Sequence, residues 1–257
     1  MRVLILGGTT EASELTRLLA ADPRFDVTLS LAGRTASPKT QPVPTRIGGF
    51  GGPDGLVAWL RQSATHAVID ATHPYADQIS SNAVVACARL AIPLASIVRP
   101  AWERQPGDSW LHVASAEAAA DALGPNPRRV FLTLGRLELG AFASSPHHHY
   151  IARTIDPPGD VALPPDIKLL SGRGPFDLQA ETTLLEQEKV DVLVSKNSGG
   201  TATYAKIEAA RNFGIPVVMM ARPPKLRGHA VENAEAAMIW LEQRLAHRTT
   251  SCSARGV

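Results

Sequence analysis

Short apolar runs, each followed by a glycine or polar turn and then by a helical stretch, recur along the whole chain. Two of these runs, "RVLILG" (2–7) and "VDVLVS" (190–195), are almost continuously apolar, which is typical of strands buried on both faces of a sheet. Strands that alternate with helical stretches form βαβ units, and the strands of such units are parallel. The sequence therefore predicts an α/β fold built from doubly wound parallel sheets.

Three segments of the first half of the chain resemble three segments of the second half and occur in the same order. The pairs are "RVLILG" (2–7) with "RVFLTLG" (129–135), "HAVIDATHP" (66–74) with "VDVLVSKNSGG" (190–200), and "AIPLASIVRP" (91–100) with "GIPVVMMARP" (214–223). Self-similarity that keeps its order and spacing indicates a repeated unit. We therefore expect two Rossmann-like domains.

The stretch "LGPNPRR" (123–129) separates the similar halves and is rich in residues that interrupt helices and strands. We place the domain boundary there, with a first domain over residues 1–124 and a second over 125–248. Residues 249–257 are small and polar, and we expect them to form a disordered tail.

Charge and composition exclude several classes of function. The 26 Lys and Arg residues nearly balance the 24 Asp and Glu residues, giving a net charge of +2, and aromatic residues make up only 5% of the chain. Neither value suits a protein that binds nucleic acid. Two cysteines do not make a disulfide framework, and no apolar run is long enough for a signal peptide or a membrane span. We expect a cytoplasmic protein that binds neither nucleic acid nor a membrane.

The first strand runs into the turn "GGTTE", which is close to the glycine-rich turn of dinucleotide-binding domains. Gly7 and Gly8 allow the backbone to approach a phosphate. Thr9 and Thr10 add hydroxyl donors, and Glu11 lies in the first turn of the following helix, whose dipole favours an anion. This turn is the first part of a predicted nucleotide site.

The second strand ends at Gly33 and Arg34, where a Rossmann-type domain meets the ribose of the adenosine. An acidic residue at this point would bind the 2′-hydroxyl group of NAD, whereas the planar guanidinium of Arg34 suits a 2′-phosphate. The pattern therefore predicts NADPH as the cofactor. The turn "DATHPYA" (70–76) follows another strand of the same half, and we assign its Thr72 and His73 to the cofactor site as well.

A further polar turn follows the buried strand of the second half. Its side-chain donors and paired glycines predict an anion-binding site at the start of a helix. The residues are Lys196, Asn197, Ser198, Gly199, Gly200 and Thr201. The chain contains no Gly-Lys pair, so this turn is not a Walker-type phosphate loop, and ATP hydrolysis is not expected.

Other catalytic signatures are absent from the sequence. None of Tyr75, Tyr150 and Tyr204 begins a Tyr-x-x-x-Lys motif, which argues against a short-chain dehydrogenase or a nucleotide-sugar epimerase. The run His147–His149 places only two imidazoles on one face of a strand, which is too few for a zinc site. We therefore predict no metal.

Four motifs, taken together and in this order, resemble the precorrin-6A reductase family of cobalamin biosynthesis. They are "ILGGTTEA" (5–12), "DATHPYA" (70–76), "LGR" (134–136) and "SKNSGG" (195–200). The resemblance implies an oxidoreductase that uses NADPH to reduce a ring double bond of precorrin-6A, giving precorrin-6B. It also implies a polycarboxylated tetrapyrrole as the substrate and neighbouring enzymes of the pathway as partners.

The carboxylates of such a substrate need cationic partners. Arg99, Arg136 and Arg222 lie at predicted strand ends or turns, and we add them to the turn 196–201 as substrate-binding candidates. Hydride transfer to a double bond also requires a proton. The sequence leaves its donor open.

The candidates for the proton donor are His73, Tyr75 and Lys196. Two further points stay open at this stage. A non-catalytic NADP(H)-sensing regulatory protein is the alternative function, and the natural substrate could carry cobalt, because related reductases serve both routes to the corrin ring.

Overall fold

The computed structural model describes residues 1–33, 38–224 and 228–253, with side chains up to residue 248. The chain divides into two compact units. The first unit holds Met1–Arg99 together with the residues from Pro224 onward, and the second unit holds Pro100–Pro223.

The first part of the chain forms strands and helices in strict alternation except between β2 and β3. The elements are β1 (Arg2–Leu6), α1 (Thr10–Ala20), β2 (Asp26–Leu31), β3 (Thr45–Ile47), α2 (Gly52–Gln62), β4 (Ala67–Asp70), α3 (Asp77–Leu90) and β5 (Leu94–Ile97). The chain end adds β12 (His229–Val231) and α7 (Ala234–Ser253) to this unit.

The described strands of the first unit form one six-stranded sheet in the order β12-β5-β4-β1-β2-β3, and all pairs are parallel. This is the strand order of dinucleotide-binding Rossmann domains. Leu4 and Ile5 are neighbours in β1 and point to opposite faces of the sheet. Ile5 packs in a cluster with Leu15 of α1 and Leu241 of α7, and Leu4 packs in a cluster with Leu60 of α2.

The second unit repeats this architecture. Its elements are β6 (Trp110–Val113), α4 (Ala116–Asp121), β7 (Arg129–Thr133), a 3₁₀ helix (Arg136–Ser144), β8 (His149–Thr154), β9 (Ile167–Ser171), α5 (Leu178–Gln187), β10 (Val192–Lys196), α6 (Ala205–Asn212) and β11 (Val217–Met220). Within the described ranges they form a second six-stranded parallel sheet in the order β6-β11-β10-β7-β8-β9. The predicted α/β fold with two doubly wound parallel sheets is confirmed.

The boundaries of the units differ from the expected division into 1–124 and 125–248. The strand β6 precedes β7 in the chain but completes the second sheet beside β11, so the second unit begins at Pro100. The strand β12 follows β11 but completes the first sheet beside β5. Each sheet therefore takes its outermost strand from outside its own repeat, and the first unit is discontinuous in sequence.

The chain end also differs from the expected tail. The helix α7 continues to Ser253, so residues 249–253 are helical, and the remaining expected tail residues lie outside the described ranges. Of the helices in residues 1–33, 38–224 and 228–253, none combines the length and the apolar character that crossing a membrane would need.

The second unit buries an imidazole, and this predicts a loss of stability in acid. His148 is 1% exposed, and neither ring nitrogen has a hydrogen-bond partner among the described residues. Burial, together with the charges of His147 and Arg128, lowers the pKa of His148 below its ordinary 6.5. The unfolded chain therefore binds more protons than the folded chain, and the free energy of unfolding falls as the pH drops through and below 6.5.

We expect His148→Phe to reduce this acid sensitivity, measured as the change in Tm between neutral and mildly acidic buffer. Some sensitivity should remain, because burial also lowers the pKa of His66. His112→Gln, which removes an exposed imidazole on β6, is the control and should behave as wild type. An unchanged acid response of His148→Phe would contradict the prediction.

Candidate functional site

The turn between β1 and α1 lies at the carboxyl edge of the first sheet, and its two glycines have different tasks. A Cβ atom on Gly7 would stand 2.6 Å from Leu29 Cδ1 and 3.3 Å from the Cβ of Ala12, so Gly7 permits close packing of α1 on the sheet. Gly8 has a φ of +116°, and no heavy atom lies within 4 Å of a Cβ built on it. The backbone at Gly8 is therefore open to a ligand.

The two threonines of this turn are not equivalent. The Thr9 hydroxyl accepts a hydrogen bond from the Ala12 N–H (3.2 Å) and donates one to the Ala71 carbonyl oxygen (2.7 Å). The Thr9 hydroxyl caps α1 and links the turn to the end of β4. Its proton is donated to the Ala71 carbonyl oxygen. Thr10 is exposed, and its role as a hydroxyl donor to a ligand stays a prediction.

Glu11 and Arg99 form an ion pair beside the same turn. Nη1 of Arg99 lies 2.7 Å from each carboxylate oxygen of Glu11, and both side chains are largely buried. Burial acts to raise the pKa of Glu11, but the hydrogen bond and the charge of Arg99 outweigh it and lower that pKa. The pairing places Arg99, which the sequence suggested for the substrate, next to the predicted cofactor turn of the first unit.

A buried carboxylate organises the turn after β4. Asp70 Oδ1 accepts hydrogen bonds from the N–H (3.1 Å) and the hydroxyl (2.6 Å) of Thr72, and Oδ2 accepts one from the Ser80 hydroxyl (2.5 Å). Asp70 is 2% exposed. We did not predict the roles of Asp70 and Ser80 from the sequence, although a carboxylate at the end of an apolar strand was a visible signal. The hydroxyl of Thr72 therefore shapes the turn.

His73 and Tyr75 lie together in this turn with their ring centroids 5.5 Å apart. Nδ1 of His73 accepts a hydrogen bond from the Tyr75 N–H (3.3 Å). The neutral imidazole therefore carries its proton on Nε2. At the end of β2, Gly33 has a φ of +74°, and Arg34 lies outside the described residues.

In the second unit, Asn197 follows β10 and clamps the backbone of Trp102. Its Oδ1 accepts from the Trp102 N–H (2.8 Å), and its Nδ2 donates to the Trp102 carbonyl oxygen (2.9 Å). The Trp102 indole N–H donates to the carbonyl oxygen of Gly200 (2.7 Å). Both residues are at least nine-tenths buried. The amide of Asn197 therefore holds the segment around Trp102 against the turn.

Lys196 in this turn and Arg222, which follows β11, also have partners within the second unit. The Lys196 ammonium forms an ion pair with Glu138. Arg222 donates from Nε to the Asn197 carbonyl oxygen (2.8 Å) and from Nη2 to that of Pro100 (3.1 Å). A Cβ on Gly199 would lie 2.1 Å from the same Pro100 oxygen, so the close approach that Gly199 permits is to the protein's own backbone.

The sequence predicted that a helix starts within the turn 196–201, and this prediction was wrong. The helix α6 begins at Ala205, after the glycines and Thr201, and its first turn has no side-chain cap. Gly200 and Thr201 are exposed, and Ser198 is half-buried. Arg136 opens the 3₁₀ helix and donates to the Pro157 carbonyl oxygen (3.4 Å).

Lys206 is buried in α6 and was not predicted from the sequence. Its Nζ lies 5.7 Å from the centre of the Trp102 ring, near the ion pair of Arg153 and Glu181. Burial, with the positive charge of Arg153, lowers the pKa of Lys206 to about 7. No sequence signal distinguished this lysine from the exposed ones of a helix.

Residues 2–242 match the family described as Precorrin-6x reductase CbiJ/CobK. The chain belongs to this family. The resemblance inferred from the four motifs is therefore confirmed, and the chain is a member of a reductase family.

Similar proteins agree with this assignment. The chain is 46% identical over 240 residues to the precorrin-6A reductase of Rhodobacter capsulatus, a match that covers 93% of this chain and 95% of that protein. It is 29% identical over 252 residues to the cobalt-precorrin-6A reductase of Salmonella typhimurium, covering 91% and 93% of the two chains. The solved structure of a CobK precorrin-6A reductase superposes with a TM-score of 0.89 at 46% identity, covering 95% of this chain and 97% of that one.

The clamp on Trp102 predicts that Asn197 supports the fold of the second unit. Asn197→Ala leaves the buried N–H and carbonyl of Trp102 without partners, and each such group costs about 1–3 kcal/mol. We expect a lower Tm in the absence of any ligand, measured by thermal denaturation. Thr201→Ala, in an exposed position of the same turn, is the control and should melt as wild type. A wild-type Tm for Asn197→Ala would contradict the structural role and leave ligand binding as the only predicted role of Asn197.

Proposed function

We propose that this protein is a precorrin-6A reductase that uses NADPH to reduce a ring double bond of the macrocycle, giving precorrin-6B. The observation that carries the proposal is the match to the reductase family over residues 2–242. The Rossmann strand order of the first unit, with its open glycine turn after β1, supports a dinucleotide as the hydride source. Membership of a reductase family favours turnover over a non-catalytic sensor.

The first unit would hold the cofactor. The exposed backbone at Gly8 and the N-terminus of α1 suit the pyrophosphate, and Arg34 is proposed for the 2′-phosphate. When bound, NADPH supplies the hydride. The protein's part is to fix the nicotinamide at reacting distance from the acceptor carbon, about 3–3.5 Å.

The second unit would hold the carboxylates of the substrate. Lys196, Asn197 and Arg222 were expected to bind it directly, but their contacts to Glu138 and to backbone groups support a role in shaping the turn. We propose that groups around them, all at least partly exposed, bind the substrate directly. They are Ser198, Gly200, Thr201 and Arg136.

Sequence identity to the two kinds of relative favours a metal-free substrate over a cobalt-bearing one. The relative described as a precorrin-6A reductase is 46% identical to this chain, whereas the one described as a cobalt-precorrin-6A reductase is 29% identical. We therefore propose a metal-free precorrin. The proton donor stays a prediction among His73, Tyr75 and Lys196, of which Lys196 already forms an ion pair with Glu138.

The function is tested by incubating the purified protein with precorrin-6A and NADPH. We expect stoichiometric loss of the reduced nicotinamide absorbance together with a shift of the macrocycle spectrum, and slower turnover when NADH replaces NADPH. Cobalt-precorrin-6A is the comparison substrate. A protein that binds NADPH but consumes none with either macrocycle would support the sensor instead.

The ion pair of Glu11 and Arg99 predicts a charge effect on cofactor binding. Arg99→Met leaves the Glu11 carboxylate uncompensated beside the proposed pyrophosphate site. We expect NADPH to bind about tenfold more weakly, the scale of one lost charged interaction. The double variant Glu11→Gln/Arg99→Met should recover most of this loss in a fluorescence titration. If it recovers none, Arg99 contacts the cofactor directly.

A further inference from the structure

Arg46, in the short strand β3, is held in one orientation by neutral oxygen atoms. Its Nη1 donates to the Ser30 hydroxyl (2.8 Å) and to the Gly48 carbonyl oxygen (2.8 Å), and its Nη2 donates to the Gly49 carbonyl oxygen (2.9 Å). The guanidinium also lies over the ring of Phe50, with Cζ 3.8 Å from the ring centre. The group is therefore pre-organised before any ligand binds.

Among the described residues Arg46 has no counter-ion, unlike three of the other half-buried arginines. Arg99, Arg153 and Arg211 each pair with a carboxylate. Across residues 1–33, 38–224 and 228–253, no carboxylate lies within salt-bridge distance of Arg46. Its Nε–H and the second N–H of Nη2 make no hydrogen bond to these residues either. A partly desolvated cation whose partners are all neutral is suited to binding an anion from outside the protein.

The position of Arg46 identifies the kind of anion. In the sheet register, Arg46 is the direct neighbour of Ser30, near the end of β2. In Rossmann domains the end of the second strand meets the adenosine ribose. No heavy atom lies within 4 Å of a Cβ built on Gly48 or Gly49, so the loop beside the guanidinium is open on the side where a side chain would stand.

We propose that Arg46 binds the 2′-phosphate of NADPH as a second recognition residue and contributes to the preference for NADPH over NADH. This inference rests on the proposed use of NADPH. The ring of Phe50 and the three oxygen partners fix the plane of the guanidinium, and its Nε–H and second Nη2 N–H are the donors left for the phosphate. The geometry supplies a site that does not depend on Arg34 alone.

The test measures the dissociation constants of NADPH, NADH, 2′,5′-ADP and 5′-AMP for wild type and for Arg46→Met. We expect NADPH and 2′,5′-ADP to bind about 10- to 100-fold more weakly, the effect of losing a charged hydrogen bond. NADH and 5′-AMP, which lack the 2′-phosphate, should bind as to wild type. Arg61→Met removes an exposed arginine from α2 and should change none of the four constants.

The outcomes separate the inference from the proposed function. If wild type prefers NADPH and Arg46→Met keeps the full preference, the inference fails and the proposed function stands. If Arg46→Met weakens all four ligands equally, Arg46 only supports the loop, and the inference fails. If wild type shows no preference for NADPH, both fail. Should Arg46→Met not fold, Arg46→Gln removes the charge but keeps a polar side chain of similar reach, and an unchanged preference for NADPH there overturns the inference.

Discussion

Two neighbouring parallel strands must be joined by a crossover connection, because the chain has to return to the same edge of the sheet before the next strand begins. Each crossover leaves its strand at the carboxyl end, so the polar turns of each unit lie at the carboxyl edge of its sheet. In the first unit the turns after β1 and β4 are drawn together there, because β1 and β4 are paired neighbours. The hydrogen bond from Thr9 to the Ala71 carbonyl joins the two turns. Any ligand that binds to this edge meets groups from several separate segments of the chain.

The strands, their parallel pairing and the two repeats could be predicted from the sequence, because buried parallel strands have a strong apolar signature and the repeats keep their order. The boundaries of the units could not. The exchange of β6 and β12 depends on pairings such as His229 with Ala95, which join residues far apart in the chain. A three-residue strand carries too little local pattern to reveal its partner, so a contiguous division of the chain was the natural but incorrect expectation.

The candidate site shows the same limit at the level of side chains. The sequence indicated which polar residues lie at strand ends, and the turns at these residues are where it expected them. It could not distinguish residues that face a ligand from residues that build the turn, because that depends on distant partners. Asn197 resembles a ligand-binding amide until Trp102 takes both its donor and its acceptor. Asp70 resembles a strand residue until Thr72 and Ser80 surround it.

Two arginines at the carboxyl edge of the first sheet are treated in opposite ways, and the contrast bears on how a dinucleotide would be recognised there. Arg99 is neutralised by Glu11, so near the first turn the backbone N–H groups and the helix dipole are the main attraction for a pyrophosphate. Arg46 is oriented by neutral oxygens, which hold the guanidinium without cancelling its charge. If Arg46 meets the 2′-phosphate as proposed, its full positive charge acts at the end of the ligand where NADPH and NADH differ, and there it discriminates between them.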